Sequence, residues 1–291
     1  MRVTNMYMVT LAQAANAKNQ SNVAQLTQEV SSGLRVSKPS DDPTAWLEAQ
    51  RQKVQTTLNT GVGEAIQSAT TRLQLTDGAL ATLSSVVSQA QELAVEGSSA
   101  QLTPSARADQ AQQVAGLLQS ALAAANTKDS DGNYVLSGTA ISTQPFENPS
   151  GNYQGNGTAL SVNTDATTTQ QASLPGTALE GGVNIFVTLN TLVTALSSNN
   201  LTGIQSALGD LNTANTQLAT TRAQVGGMMT TMQSAQTAST TLASTLQTSV
   251  ASLTQVDAVQ AASQLAQAST ALQVSQAVTT KVLSLLEPSS S

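Results

Sequence analysis

Cysteine and histidine are both missing from the 291 residues, which removes thiolate nucleophiles, imidazole bases and the commonest zinc ligands together. Without cysteine the fold needs no disulfide, whatever its compartment. Charge is scarce too: 10% of residues are charged, and 11 Lys and Arg against 17 Asp and Glu leave a net charge of -6. Phosphate-backbone binding needs clustered Lys and Arg, so no nucleic acid is expected as a partner. Long hydrophobic runs are lacking, and with no apolar stretch of about 18 residues no membrane insertion is expected. Near the start, Arg2, the segment 3–11 and Ala12-Gln13-Ala14 faintly outline a secretory signal. Thr4, Asn5 and Thr10 interrupt the apolar run that such a signal requires.

What is abundant is Ala, Ser, Thr, Gln and Leu. Hydrophobic residues make up 40% of the chain and many are alanine, a thin supply for a compact core of this length and better suited to extended helices. After Pro43, apolar or small residues recur by threes and fours through Leu58, Val62, Ala65, Ala69, Leu73, Thr76, Leu80, Leu83, Val87, Ala90 and Ala94. That is one stripe on a helix over 44–97, about 80 Å long at the usual rise per residue. Such length calls for bundle or coiled-coil partners. Thr103-Pro104 reads as the start of a second helix, a hydroxyl cap followed by proline at the first helical position, with its own stripe at Ala111, Val114, Leu118, Ala121, Leu122 and Ala125.

Beyond Asn126 the composition changes, because eight of the 18 glycines and three of the seven prolines fall within 129–182. This reads as an insert of short strands and turns. Helical period returns over 183–196, breaks at Asn199-Asn200, and resumes at Ile204, Leu208, Leu211 and Leu218. A last stripe runs unbroken from Leu242 through Leu253, Val256, Val259, Leu265 and Leu272 to Val278, Val282 and Leu285. The predicted fold is mainly α: a long-helix bundle or coiled coil formed by the N- and C-terminal regions, with a small β-rich inserted domain. The expected organisation is a terminal segment and bend over 1–42, core helices over 43–128 and 184–240, the insert over 129–183, and a C-terminal segment over 241–291. Isolated terminal helices with so many small residues are marginal and call for neighbouring subunits.

One stretch departs from this monotony: SSGLRVSKPSDDP at 31–43. Paired carboxylates Asp41 and Asp42 suggest acid and base chemistry, but with no histidine, no metal ligands and no second cluster they have nothing to work with. The structural reading has Asp42 capping the long helix, Pro43 at its first position and Asp41 favourable at its positive end. Arg35 is placed to pair with Asp41 or with another chain. Other candidate sites fare no better. Asp129, Asp131 and Asn133 alternate like the start of a calcium loop, but Gly132 and Ala140 stand at the wrong positions for one, so a turn suffices. Met228, Met229 and Met232 read as adaptable packing, and Gly155-Asn156-Gly157 as a turn. No cofactor and no metal site is expected.

SSGLR at 31–35 with SDDP at 40–43 resembles the N-terminal pattern of bacterial flagellins and their relatives, and Arg222 to Gly227, Val256-Asp257-Ala258-Val259 and Val282 to Leu286 resemble its C-terminal counterpart. Within that superfamily the opening MRVTNMYM, DGNYVLSG at 131–138 and Thr143 to Phe146 are similar to the hook-associated protein 3 family. The chain departs from the pattern at its tail, 287–291, and at the methionines after Gly227. The resemblance implies a structural, non-enzymatic protein of the flagellum, exported by the flagellar type III pathway to the hook-filament junction outside the cell. It implies a homo-oligomeric tubular layer, with hook-associated protein 1 on one side, flagellin on the other, and an export chaperone on the C-terminal segment beforehand. Rival readings are a short filament flagellin, and a type III secreted tip or adhesion protein. The residues expected at subunit interfaces are Leu26, Val30, Gly33, Leu34, Arg35, Asp41, Asp42, Leu265, Leu272, Val282, Leu285 and Leu286.

Overall fold

A computed structural model describes residues 2–148, 150–165 and 167–286. The element order is α1 (Arg2–Ser32), α2 (Pro43–Gly97), α3 (Pro104–Ala125), β1 (Ser161–Asn163), β2 (Thr169–Gln171), a 3-10 turn (Gly176–Leu179), α4 (Ile185–Ser197), α5 (Leu201–Thr254) and α6 (Ala258–Leu286). The chain divides into two compact units, one comprising residues 1–57 and 243–291, the other 58–242.

The second unit holds the core. The stripe read from α2 is buried from Ala69 to Ala94, and the α3 stripe is buried at all six predicted positions, together with Ile204, Leu211 and Leu218 of α5. The Thr103 hydroxyl accepts from the Ala106 amide at 3.2 Å, so the predicted cap and the proline behind it do start α3. Asn184 caps α4 through the Phe186 and Val187 amides. At the predicted break Asn199 takes φ +57, and α5 follows two residues later. A buried guanidinium ties these corners: Arg107, 3% exposed, donates from Nε to the Gly97 carbonyl at 2.8 Å and also to the Ser99 carbonyl and the Asn199 side chain.

The insert is mostly turns, with β1 and β2 as a short antiparallel hairpin. It does not carry a core of its own. Val135, Leu136, Phe146, Leu174 and Leu179 belong to the same buried cluster as the helices. Phe146 stands with its ring centroid 5.3 Å from Tyr153 and 4.8 Å from Phe186 of α4. Gly176 is fixed by this packing, since a Cβ there would lie 2.5 Å from the Tyr153 ring. The alternating Asp129, Asp131 and Asn133 form a turn, in which the Asp129 carboxylate accepts from the Asp131 and Asn133 amides and from Arg72.

The first unit contains α1 and α6, the segment joining α1 to α2, and the nearby ends of α2 and α5. The long C-terminal stripe is not one helix. It is interrupted at 255–257, where Asp257 Oδ1 accepts from the Val259 and Gln260 amides and begins α6 anew. This resets the helical phase, so Ala261 is buried while Val259 is 82% exposed.

Candidate assembly interface

Helix α1 ends at Gly33, whose φ of +71 suits glycine and whose amide donates to the Glu29 carbonyl at 2.9 Å. The chain then pairs with the connector between α5 and α6. Leu34 bridges Gln255, the Arg35 and Val36 amides donate to the Thr254 carbonyl at 2.8 and 3.2 Å, and the Val256 amide returns to the Gly33 carbonyl at 3.0 Å. Val36 is buried behind them.

The two carboxylates of the motif have separate tasks. Asp42 Oδ1 accepts from the Ala45 amide at 3.0 Å and from the Thr44 hydroxyl, which is the predicted cap of α2. The Ala45 amide, with Thr44 and Arg35 adding to it, holds the Asp42 carboxyl below the ordinary value. Asp41 is not at the helix end. Its Oδ2 accepts from the Ser37 amide, the Ser37 hydroxyl and the Lys38 amide, which closes the 37–41 loop around Pro39 and likewise lowers its pKa, the Ser37 amide most strongly. The expected pairing of Arg35 with Asp41 is therefore corrected: Arg35 meets Asp42 at 3.3 Å. Asp41 is already taken by the loop it closes, and Arg35 Nη2 turns to the Leu253 carbonyl at 3.0 Å, a cation at the negative end of α5.

Helices α1 and α6 lie side by side. Asn19 Nδ2 donates to the Ala271 carbonyl at 3.5 Å and Leu34 bridges Gln255, so the two helices run antiparallel. The less exposed positions of α1 are Val9, Ala12, Asn16, Asn19, Val23, Leu26 and Glu29; those of α6 are Ala261, Leu265, Ala268, Ser269, Leu272, Ser275, Thr279 and Val282. Apart from Glu29 and Ser269, both series alternate threes and fours, the heptad spacing of a coiled-coil seam. Leu26, Leu265, Leu272 and Val282 thus lie on the seam, only half-buried, while Val30 and Leu34 stay exposed. Helix α6 reaches Leu286, but the side chains of Leu285 and Leu286 and the tail 287–291 lie outside the described residues.

Sequence reasoning missed two parts of this surface. The connector 254–256 was hidden by a stripe whose apolar spacing continues through it, although Asp257 followed by a helical pattern is a readable cap signal. The other is an open groove of about 760 Å³ along one side of the seam, walled by Val274 and Val278 and floored by Ala12, Ala15, Asn19 and Ala271 among others. No charged side chain lines it. Among the described residues no group of three His, Cys, Asp or Glu side chains converges as a metal site, and no helix is long and apolar enough to cross a membrane.

Residues 3–141 match the bacterial flagellin N-terminal helical region. Flagellar hook-associated protein 3 of Escherichia coli (strain K12) is 34% identical over 125 residues, which are 41% of this chain and 38% of that protein. Its namesake in Salmonella typhimurium is 24% identical over 213 residues, 68% of this chain and 67% of that one. Among solved structures, a flagellar hook-associated protein from Vibrio parahaemolyticus has a TM-score of 0.69 at 16% identity, covering 74% of this chain and 100% of the other, a likeness of fold.

Proposed function

From a chain that carries the flagellin-type N-terminal helical region and resembles flagellar hook-associated protein 3, we propose a structural junction protein of the bacterial flagellum, joining the hook to the filament. Its work is assembly and involves no reaction. The terminal pair α1 and α6 packs against neighbouring copies in a tubular layer, which meets hook-associated protein 1 on the hook side and flagellin on the filament side. The chain reaches that place outside the cell through type III export, its C-terminal segment first held by a chaperone.

The observation that carries this reading is the contrast in burial. The second unit has a continuous core, whereas the buried apolar residues of the first, among those described, are Val36, Ala49, Leu246 and Ala261. Meanwhile Met6, Tyr7, Met8, Leu11, Val274 and Val278 are all more than half exposed. Apolar surface of this extent along a helix pair marks a protein interaction site. A short filament flagellin is the second reading, favoured by the match of residues 3–141 itself.

Deleting the chain separates the two. For a junction protein, cells lose motility and release monomeric flagellin into the medium, because filament subunits are still made and exported but find nothing to build on. For a filament flagellin, filaments vanish without such a release. Full-length, attached filaments in the deletion strain would sink both readings.

A further inference from the structure

The turn at Gly155-Asn156-Gly157 holds the only asparagine of the chain that is followed by glycine. That pairing has a chemistry of its own. The backbone nitrogen after an asparagine can attack the carbon of the side-chain amide, and a following glycine, with no side chain and a permissive backbone, obstructs the approach least. Asn156, Gly157 and Thr158 are all exposed, so the water that completes the reaction has access. The Gly157 amide donates no hydrogen bond among the described residues, which leaves the attacking nitrogen free.

The group it would attack is held. Asn156 Oδ1 accepts from the Thr139 amide at 2.9 Å and from the Thr158 amide at 3.3 Å, while Nδ2 donates to the Thr139 hydroxyl at 2.6 Å. Both ends of the side-chain amide are thus clamped to the facing segment, and the rotation that brings its carbon onto the Gly157 nitrogen breaks the clamp. The main chain is fixed as well. The Asn156 amide donates to the Ser137 carbonyl at 3.2 Å, and its carbonyl accepts from the Tyr153 hydroxyl at 2.8 Å. Gly138, at φ +68, lies so close that a Cβ there would strike the Asn156 carbonyl. Tyr153 in turn packs on Phe146, which is fully buried in the core shared with the helices. Freeing Asn156 therefore requires the insert to open, and a reaction that needs an opened state runs at the small population of that state.

We propose that Asn156 is a site of spontaneous deamidation gated by the fold, with Thr139 as its guard, so that the modification records unfolding of the insert. In the opened chain the Gly157 nitrogen gives its proton to solvent hydroxide and bonds to Asn156 Cγ. The bond from Cγ to Nδ2 breaks, ammonia leaves with a proton from water, and a five-membered imide closes. Water then opens the imide at either carbonyl, leaving an aspartate or an isoaspartate at position 156. The two products differ in what they allow. An aspartate keeps an oxygen for the Thr139 and Thr158 amides, and the Thr139 hydroxyl can turn to donate to it. An isoaspartate adds one carbon to the main chain, so 155–158 no longer meets 137–139 and the insert cannot close as before.

The full-length chain is incubated at mildly alkaline pH in buffer and in urea, and conversion at position 156 is followed by peptide mass spectrometry, with isoaspartate told from aspartate by enzymatic methylation. A short peptide spanning the turn, carried through both solvents, corrects for any effect of urea on the chemistry itself. Conversion in buffer is expected to be roughly ten-fold or more slower than in urea. Thr139→Val, which removes the hydroxyl acceptor, should speed it several-fold in buffer and leave the urea rate unchanged. Chains converted in urea and returned to buffer should divide by product: those with isoaspartate are cut in the insert by protease, whereas Asn156→Asp resists like the unmodified chain. Equal corrected rates in buffer and urea, or faster conversion in buffer, would overturn the gating, and this comparison stands even if Thr139→Val disturbs the insert. An unchanged buffer rate in a folded Thr139→Val chain would remove Thr139 as the guard, and isoaspartyl chains as resistant as the rest would remove the record of unfolding.

Discussion

Asp42 divides its two oxygens between two partners, Oδ1 taking the Ala45 amide and Oδ2 the Arg35 guanidinium. Because its pKa and that of Asp41 are both lowered on folding, the folded bend binds protons less readily than the unfolded chain. Their stabilisation is complete above the ordinary carboxylate value of 3.8 and is lost as the pH falls through the lower folded values. The single tryptophan reports on this, since Trp46 lies in the first turn of α2 and its amide donates to the Asp42 carbonyl at 2.9 Å. Trp46 emission is expected to stay constant in acid titration down to about pH 4 and to change below it. Asp42→Ala should change that emission already at neutral pH by fraying the first turn, whereas Asp42→Asn, which can still cap, should not. A different residue sets the stability of the second unit. Arg107→Met leaves the Gly97 and Ser99 carbonyls and the Asn199 side chain without their donor, so urea unfolding should show a loss of about 3 kcal/mol or more.

At the scale of elements, the helices were legible because their signals are local. Thr103-Pro104, Asn199-Asn200 and the stripe of α2 each state a boundary or a face within a few residues. The break at 255–257 was obscured because Leu253, Val256 and Val259 keep helical spacing across it, and only tertiary pairing with 33–36 shows why the helix stops. The insert was readable as turns but not in its attachment, since nothing local in Phe146 announces that it packs on Phe186. The pairing of the N- and C-terminal helices was expected, but the register of the α1 and α6 seam was not legible, because about half of its positions are Asn, Ser, Thr or Ala, which carry little periodic signal. The shared core has a measurable consequence. Phe146→Ala should lower the stability of the second unit by about 3–5 kcal/mol, and replacing 137–181 by a turn should broaden or abolish its cooperative unfolding. The terminal helices should behave in the opposite way. In the free chain, limited proteolysis is expected to remove roughly the first and last 40 residues before it cuts the second unit. Equal resistance of α1, α6 and α3 would contradict the marginal packing described for the pair.

At the scale of the whole molecule, charge is sparse along the helices proposed to assemble. Between Arg222 and Lys281 the sequence has a single charged residue, Asp257, and that one caps α6. An interface made of such helices gains little from ion pairing, so raising ionic strength should leave assembly unchanged, and sulfate should favour it. Assembly that dissolves in moderate sodium chloride would instead point to contacts through the charged residues of the bend. The central claim is that the chain serves at a junction, in few copies, rather than along a filament. Gold-labelled antibody on isolated, intact flagella tests it most directly. The account predicts label confined to a narrow band where hook meets filament, whereas label along the length of the filament would contradict it and identify the chain as a filament subunit.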